Sequence, residues 1–232
     1  MRNIESQLEI IVLNVEDAIH AQKYGVDRLE LLSGLDQGGL TPPIAVIKEV
    51  TAAVAIPVYV MVRNLDETFV YDKKEFIKIL KQIEVIKKTK TTGIVFGSLN
   101  SDGTINEDQL ATVIAYKGKL ELTFGRAIDS TINYQEAIAT LNKFTEIDYV
   151  LSSGHEVHAM EGKDNLTFAG NMLKEKVIAG AGVGPANCVE LLKMPYIKKL
   201  HVGTSVRINH DIFDKLDIDA IQTIKAALKN KQ

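Results

Sequence analysis

Arg126 and Asp129 stand three residues apart at the end of an apolar run, in LTFGRAID at positions 122–129. A guanidinium in such a place suits bidentate recognition of a carboxylate or phosphate, and the aspartate can orient it. Three further charges share this setting. Glu9 lies inside LEIIVL (8–13), Glu30 lies inside RLELL (28–32), and Arg63 follows PVYVMV (57–62). Charge within or just after an apolar strand is expensive unless it is paired or used. Two readings follow. One is a buried ion-pair network that only fixes packing. The other is a ligand site, with Arg63 and Arg126 holding a small anion and Glu9, Glu30 and Asp129 supplying the chemistry. Burial that moves a glutamate pKa toward neutrality would fit it for proton transfer. No lysine stands at a strand end to propose a Schiff base.

A second set comes late in the chain. AGAGVGPAN (179–187) and HVGTSVR (201–207) each follow a short apolar run. Gly180, Gly182 and Gly184 let backbone amides approach an anion, and Gly203, Thr204 and Ser205 add small donors. Equally, these glycines serve as tight turns. SGLDQGGLTPP (33–43) offers Gly38 and Gly39 as hinge or amide donors, or as a plain turn before Pro42 and Pro43. In SSGH (152–155), Ser153 is a ligand donor or a turn residue. His155 and His158 are three apart, which one helical turn would bring near each other, but the spacing is not a zinc signature, and no metal set is read from it. Cys188, in PANCVELL, shares a face with Leu191 and Leu192 and reads as a core residue.

The elements that must position these residues are legible from periodicity. Eight short β-branched or aliphatic runs recur: 8–13, 28–32, 57–62, 93–97, 120–124, 148–152, 176–180 and 199–203. Most are followed by a polar turn and then by helical apolar spacing, as with Phe76, Ile77, Leu80, Ile83 and Ile86. Strands alternating with helices predict parallel strands joined by crossover helices. Eight such units predict a single-domain (β/α)8 barrel of TIM type over 1–232, ending in a helix at about 218–230. The stretch HEVHAMEGKDN is expected to open the sixth helix. An open doubly wound sheet is the alternative, disfavoured because the first turn, LNVEDA, has no glycine fingerprint. In a barrel the active site sits at the C-terminal ends of the strands, where the charges above would gather.

Composition excludes several classes. With 232 residues and a net charge of −3, the chain can bury a full core and carries no basic stripe for nucleic acid. One cysteine rules out an internal disulfide framework and fits a reducing cytoplasm. No run approaches a membrane span, and MRNIESQLEI has no leader-type apolar core.

Taken together, these segments resemble the CutC family of copper homeostasis proteins. The motifs that carry the resemblance are Glu9 in the first strand, GVDRLELLSGLDQGGLTPP (25–43), IPVYVMVR (56–63), GIVFGSLNSDGTIN (93–106), TFGRAID (123–129), VLSSG (150–154) and IAGAGV (178–183). The resemblance implies a β/α barrel, a cytoplasmic location, assembly as a homodimer or homotetramer, and copper binding or handling. Copper enters by this resemblance alone, and no other cofactor is evident. Family members often carry cysteines near the end of the first and second strands and a histidine before the fifth-strand arginine. Here those places hold Ile11, Val12, Leu32 and Gly125, so the soft ligands that Cu(I) prefers are absent from them.

Overall fold

The protein is described by a computed structural model covering residues 6–64 and 68–231. The first five residues, part of the N-terminal stretch read above, lie outside it. Eight parallel strands close into a barrel in chain order. They are β1 (Gln7–Val12), β2 (Arg28–Leu31), β3 (Val58–Met61), β4 (Gly93–Phe96), β5 (Glu121–Phe124), β6 (Tyr149–Ser152), β7 (Val177–Ala179) and β8 (Lys199–Val202). The helices between and after them are α1 (Val15–Lys23), α2 (Ile44–Ala53), α3 (Lys73–Ile86), α4 (Glu107–Tyr116), α5 (Tyr134–Leu141), α6 (Lys163–Leu173), α7 (Cys188–Leu192) and α8 (Ile218–Lys229). Each predicted strand run holds one strand.

Local chemistry sets the helix starts. Asn14, Asp72, Asn106, Asn133 and Asp217 each cap a helix by accepting a backbone N–H two or three residues on. Along α3, Ile79, Ile83 and Ile86 fall on one buried stripe. The sixth unit departs from expectation. No helix covers HEVHAMEG (155–162); α6 begins only at Lys163, within the last three residues of that stretch. Gly154 has φ +77°, and a Cβ there would lie 2.2 Å from the Gly162 carbonyl oxygen. Two backbones pressed together at glycine force an irregular loop where the sequence pattern suggested a helical turn.

Outward-facing strand residues such as Leu8, Ile10, Val12, Leu29 and Leu31 pack with the helices into one large core. The barrel interior is different. Where layers of Val, Ile and Leu are usual, it holds Glu9, Arg28, Glu30, Lys199 and His201, all buried. Register explains their meeting: Glu9 pairs laterally with His201 on β8 and with Arg28 on β2.

Room for this polar interior is made by glycine. A Cβ on Gly93 would lie 2.6 Å from the Tyr59 ring and 2.8 Å from the Glu121 carbonyl oxygen. Gly93→Ala should therefore cost about 1–3 kcal/mol, in the range of an overpacked core. Urea denaturation measures this; an unchanged midpoint would mean the ring has space to shift.

Candidate functional site

The floor of the site is a chain of four ionisable side chains. Arg28 Nε donates to Glu9 Oε2 at 2.5 Å. Glu9 Oε1 lies 2.7 Å from His201 Nδ1, and His201 Nε2 faces Glu30 Oε2 at 3.6 Å. The last distance is ion-pair range, longer than a hydrogen bond. Burial pushes the Glu9 carboxyl up, but Arg28 and His201 outweigh it and hold the pKa at about 2. An ionised Glu9 fixes the His201 tautomer, with the proton on Nδ1 and Nε2 turned to Glu30. Burial drives Glu30 the other way, to about 7, with His201 opposing and Glu9 adding to the rise. Burial disfavours the His201 imidazolium, yet Glu30 and Glu9 together raise its pKa. Near neutral pH, Glu30 and His201 thus form a pair that can give or take a proton.

Arg28 is held from below by aromatics. Its guanidinium carbon lies 3.4 Å from the Tyr59 ring centroid and 4.3 Å from that of Tyr149. The Tyr59 hydroxyl is bonded to the Glu121 carboxylate. Lys199, at the opposite end of β8 from the mouth, donates to the Glu175 carbonyl oxygen. Burial and nearby Arg28 bring its pKa down to about 8.

Above this floor, at the C-terminal ends of the strands, opens a cavity of ≈ 430 Å³, within the range of small-molecule sites. Of the residues singled out in the sequence, Glu30, Arg63, Arg126, Gly182, Gly203, Thr204 and Ser205 line it. Arg63 Nη1 donates to the Gly38 carbonyl at 3.0 Å, so the loop after β2 turns a carbonyl, not an amide, to the arginine. Arg126 Nε donates to Asp129 at 2.9 Å and Nη2 donates to Ser153 Oγ at 3.3 Å. Gly38 and His158 line it too, whereas Glu9, Asp129, Ser153 and Gly180 stand back from the cavity. Glu9 lies one layer deeper, engaged by Arg28 and His201. Asp129 accepts from Arg126, Ser152 Oγ, and the Ser153 and His155 amides, which makes it the organiser of the loop after β6. Ser153 donates its hydroxyl to the Glu156 carbonyl. Gly180 faces the interior, where a Cβ would lie 2.7 Å from Leu151 Cδ1.

Arg28 and His201 escaped notice as site residues. The signal was the two-residue alternation of a strand: Arg28 shares a face with Glu30, and His201 with Gly203. His155 and His158 are parted by the irregular loop. His155 stacks on Tyr134, whereas His158 lines the cavity.

Copper would have to be held by the donors that this cavity presents. Cu(I) prefers thiolate and thioether sulfur. Met61 lines the cavity, but the Cys188 thiol is buried elsewhere and bonded to the Pro185 carbonyl, and burial pushes its pKa up. Among the described residues, no group of three or more His, Cys, Asp or Glu side chains is placed to hold a metal ion. With one thioether and no thiolate among the described residues at the cavity, the donors present fall short of the sulfur-rich set that Cu(I) prefers. Nor is any helix among the described residues long and apolar enough to cross a membrane.

Comparison with known proteins agrees with this architecture. The model of the CutC family matches residues 6–206. The copper homeostasis protein cutC homolog of Drosophila melanogaster is 34% identical over 208 residues, 88% of this chain and 79% of its own length. The human homolog of that name is 29% identical, covering 96% of this chain and 89% of its own. Among solved structures, CutC from Streptococcus agalactiae superposes with a TM-score of 0.79 at 23% identity, over 84% of this chain and 97% of that one. Thiamine phosphate pyrophosphorylase from Pyrococcus furiosus shares the fold alone, with a TM-score of 0.65 at 14% identity, over 97% of this chain and 96% of that one.

Proposed function

As the chain belongs to the CutC family, we propose that it serves copper homeostasis, the role its relatives are named for, through acid–base handling of a small anionic molecule at the barrel mouth. One observation carries this reading: the cavity floor sets the buried Glu30 carboxyl 3.6 Å from a His201 imidazole oriented by Glu9, and burial pushes the Glu30 pKa up to about 7. Such a pair suits proton transfer beside a carbonyl or hydroxyl, the chemistry of an isomerase or lyase. Arg126 and Arg63 would hold the anion above it. The site of action is the cytoplasm, which a lone buried thiol suits, and the assembly a homodimer or homotetramer.

A second reading, direct copper binding, has one observation in its favour: Met61, His158 and His201 all line the same cavity. One pair of measurements separates the two. A thermal-shift screen of small carboxylates and phosphates should stabilise the wild type and not Arg126→Ala, whose side chain is half exposed. Cu(I) titrated against a competing chelator should bind the wild type no better than Met61→Leu. Chelator-resistant Cu(I) lost in Met61→Leu, with no Arg126-dependent anion, would reverse the choice.

A further inference from the structure

Resting on the reading that this mouth takes a small anion, we infer that its ligand is an amphiphilic hydroxy acid, with a carboxylate, a hydrocarbon body and a hydroxyl group. Each part answers a separate feature of the cavity. The body answers an apolar cluster that stands apart from the main core, built on Ile11, Leu32 and Ile212 with Leu13, Leu35 and Met61 packed against it. Four of these residues, Ile11, Leu32, Leu35 and Met61, line the cavity. Apolar surface turned into a polar-floored cavity gains from a hydrocarbon ligand.

The hydroxyl answers Glu30. Its residue exposure is 2%, it lines the cavity, and its Oε1 has no hydrogen-bond partner among the described residues. A buried carboxyl oxygen left unpaired is costly. A hydroxyl can donate to the carboxylate or accept from the acid, so it satisfies Glu30 in either protonation state.

The carboxylate answers Arg126. Nε and Nη2 are engaged by Asp129 and Ser153, while Nη1 makes no hydrogen bond among the described residues. Arg126 and His201 line the same cavity. Two features of the late glycine loops weigh against phosphate there. Ser205 Oγ already donates to the Val183 carbonyl at 2.5 Å. The space beside Gly182 is filled by the His158 ring, where a Cβ would lie 2.6 Å from Nδ1.

The test is calorimetric binding of mandelate and phenyllactate to the full chain. Lactate (no large body), benzyl alcohol (no carboxylate) and inorganic phosphate serve as comparisons. At least one aromatic hydroxy acid should bind about tenfold or more tightly than lactate or benzyl alcohol, and Arg126→Gln should weaken it about tenfold, as loss of a charged hydrogen bond predicts. Met61→Gln, which keeps shape but not polarity, should weaken it severalfold while leaving lactate binding unchanged. Circular dichroism of both variants confirms the fold. Lactate binding as tightly as mandelate and phenyllactate, in an Arg126-dependent way, would overturn the apolar-body inference while the small-anion reading stands. Arg126-dependent binding of phosphate alone would overturn the carboxylate class. Binding of none of these anions would remove both readings.

Discussion

Arg28→Met should lower the free energy of unfolding by about 3–5 kcal/mol, the range for removing one partner of a buried ion pair. Arg28 and Glu9 are each 1% exposed, and their carboxylate–guanidinium bond is 2.5 Å long. Methionine keeps much of the apolar stem but strips the charge, the stacking on Tyr59 and Tyr149, and the bond to Thr123 Oγ1. Glu9 would then be a carboxylate in a dry interior with only His201 to answer it. Arg28→Met with Glu9→Gln should recover a large part of the loss, because the stranded charge is gone. Arg126→Met, by contrast, should cost under about 1 kcal/mol, since its ion pair with Asp129 is solvent-screened at 45% side-chain exposure. Urea denaturation of the four proteins makes the comparison. An Arg28→Met loss no larger than that of Arg126→Met would mean Glu9 is not held as a buried anion.

The second large effect is on the pH profile of stability. Glu30 titrates at about 7 in the folded chain against an ordinary 4.5. Its folded form therefore binds a proton more tightly than the unfolded chain does. That contribution is fully present below about pH 4.5 and is lost as pH rises through about 7, a swing of about 3 kcal/mol. His201 is also raised, so its contribution is present below its ordinary 6.5 and declines in the same direction. Glu9, lowered to about 2, contributes above about pH 4.5 and loses its share only as pH falls through about 2, outside this window. Stability should thus fall by roughly 3 kcal/mol or more between about pH 5 and 8. Glu30→Gln should flatten much of that slope. A wild-type profile as flat as that of the variant would contradict the burial of an ionisable pair.

Much of the architecture was written locally and could be read. Short apolar runs bounded by turns mark all eight strands, and the spacing of Phe76, Ile77, Leu80, Ile83 and Ile86 marks α3. The loop after β6 could be read only in part: Gly162 and a mixed pattern break the periodicity there, but the contact of Gly154 with Gly162 is set by the fold. The site divides similarly. Glu30, Arg63 and Arg126 announce themselves as charges at strand ends, and the structure lines one cavity with them. Arg28 looked like a strand's flank and His201 like part of a glycine loop. Their significance comes from register: His201 meets Glu9 across 192 positions of chain, where β8 closes on β1. Alternation along each strand shows that they face inward; only closure of the barrel shows what they face.

Acid–base chemistry at the mouth requires that Glu30 hold a proton near neutrality beneath an open cavity. Carbon-13 NMR of the side-chain carboxyl, assigned by loss of its signal in Glu30→Gln, measures this directly. The midpoint should lie near 7 and move when a ligand binds at the mouth. A midpoint in the ordinary carboxylate range, near 4.5 and indifferent to His201→Gln, would contradict this.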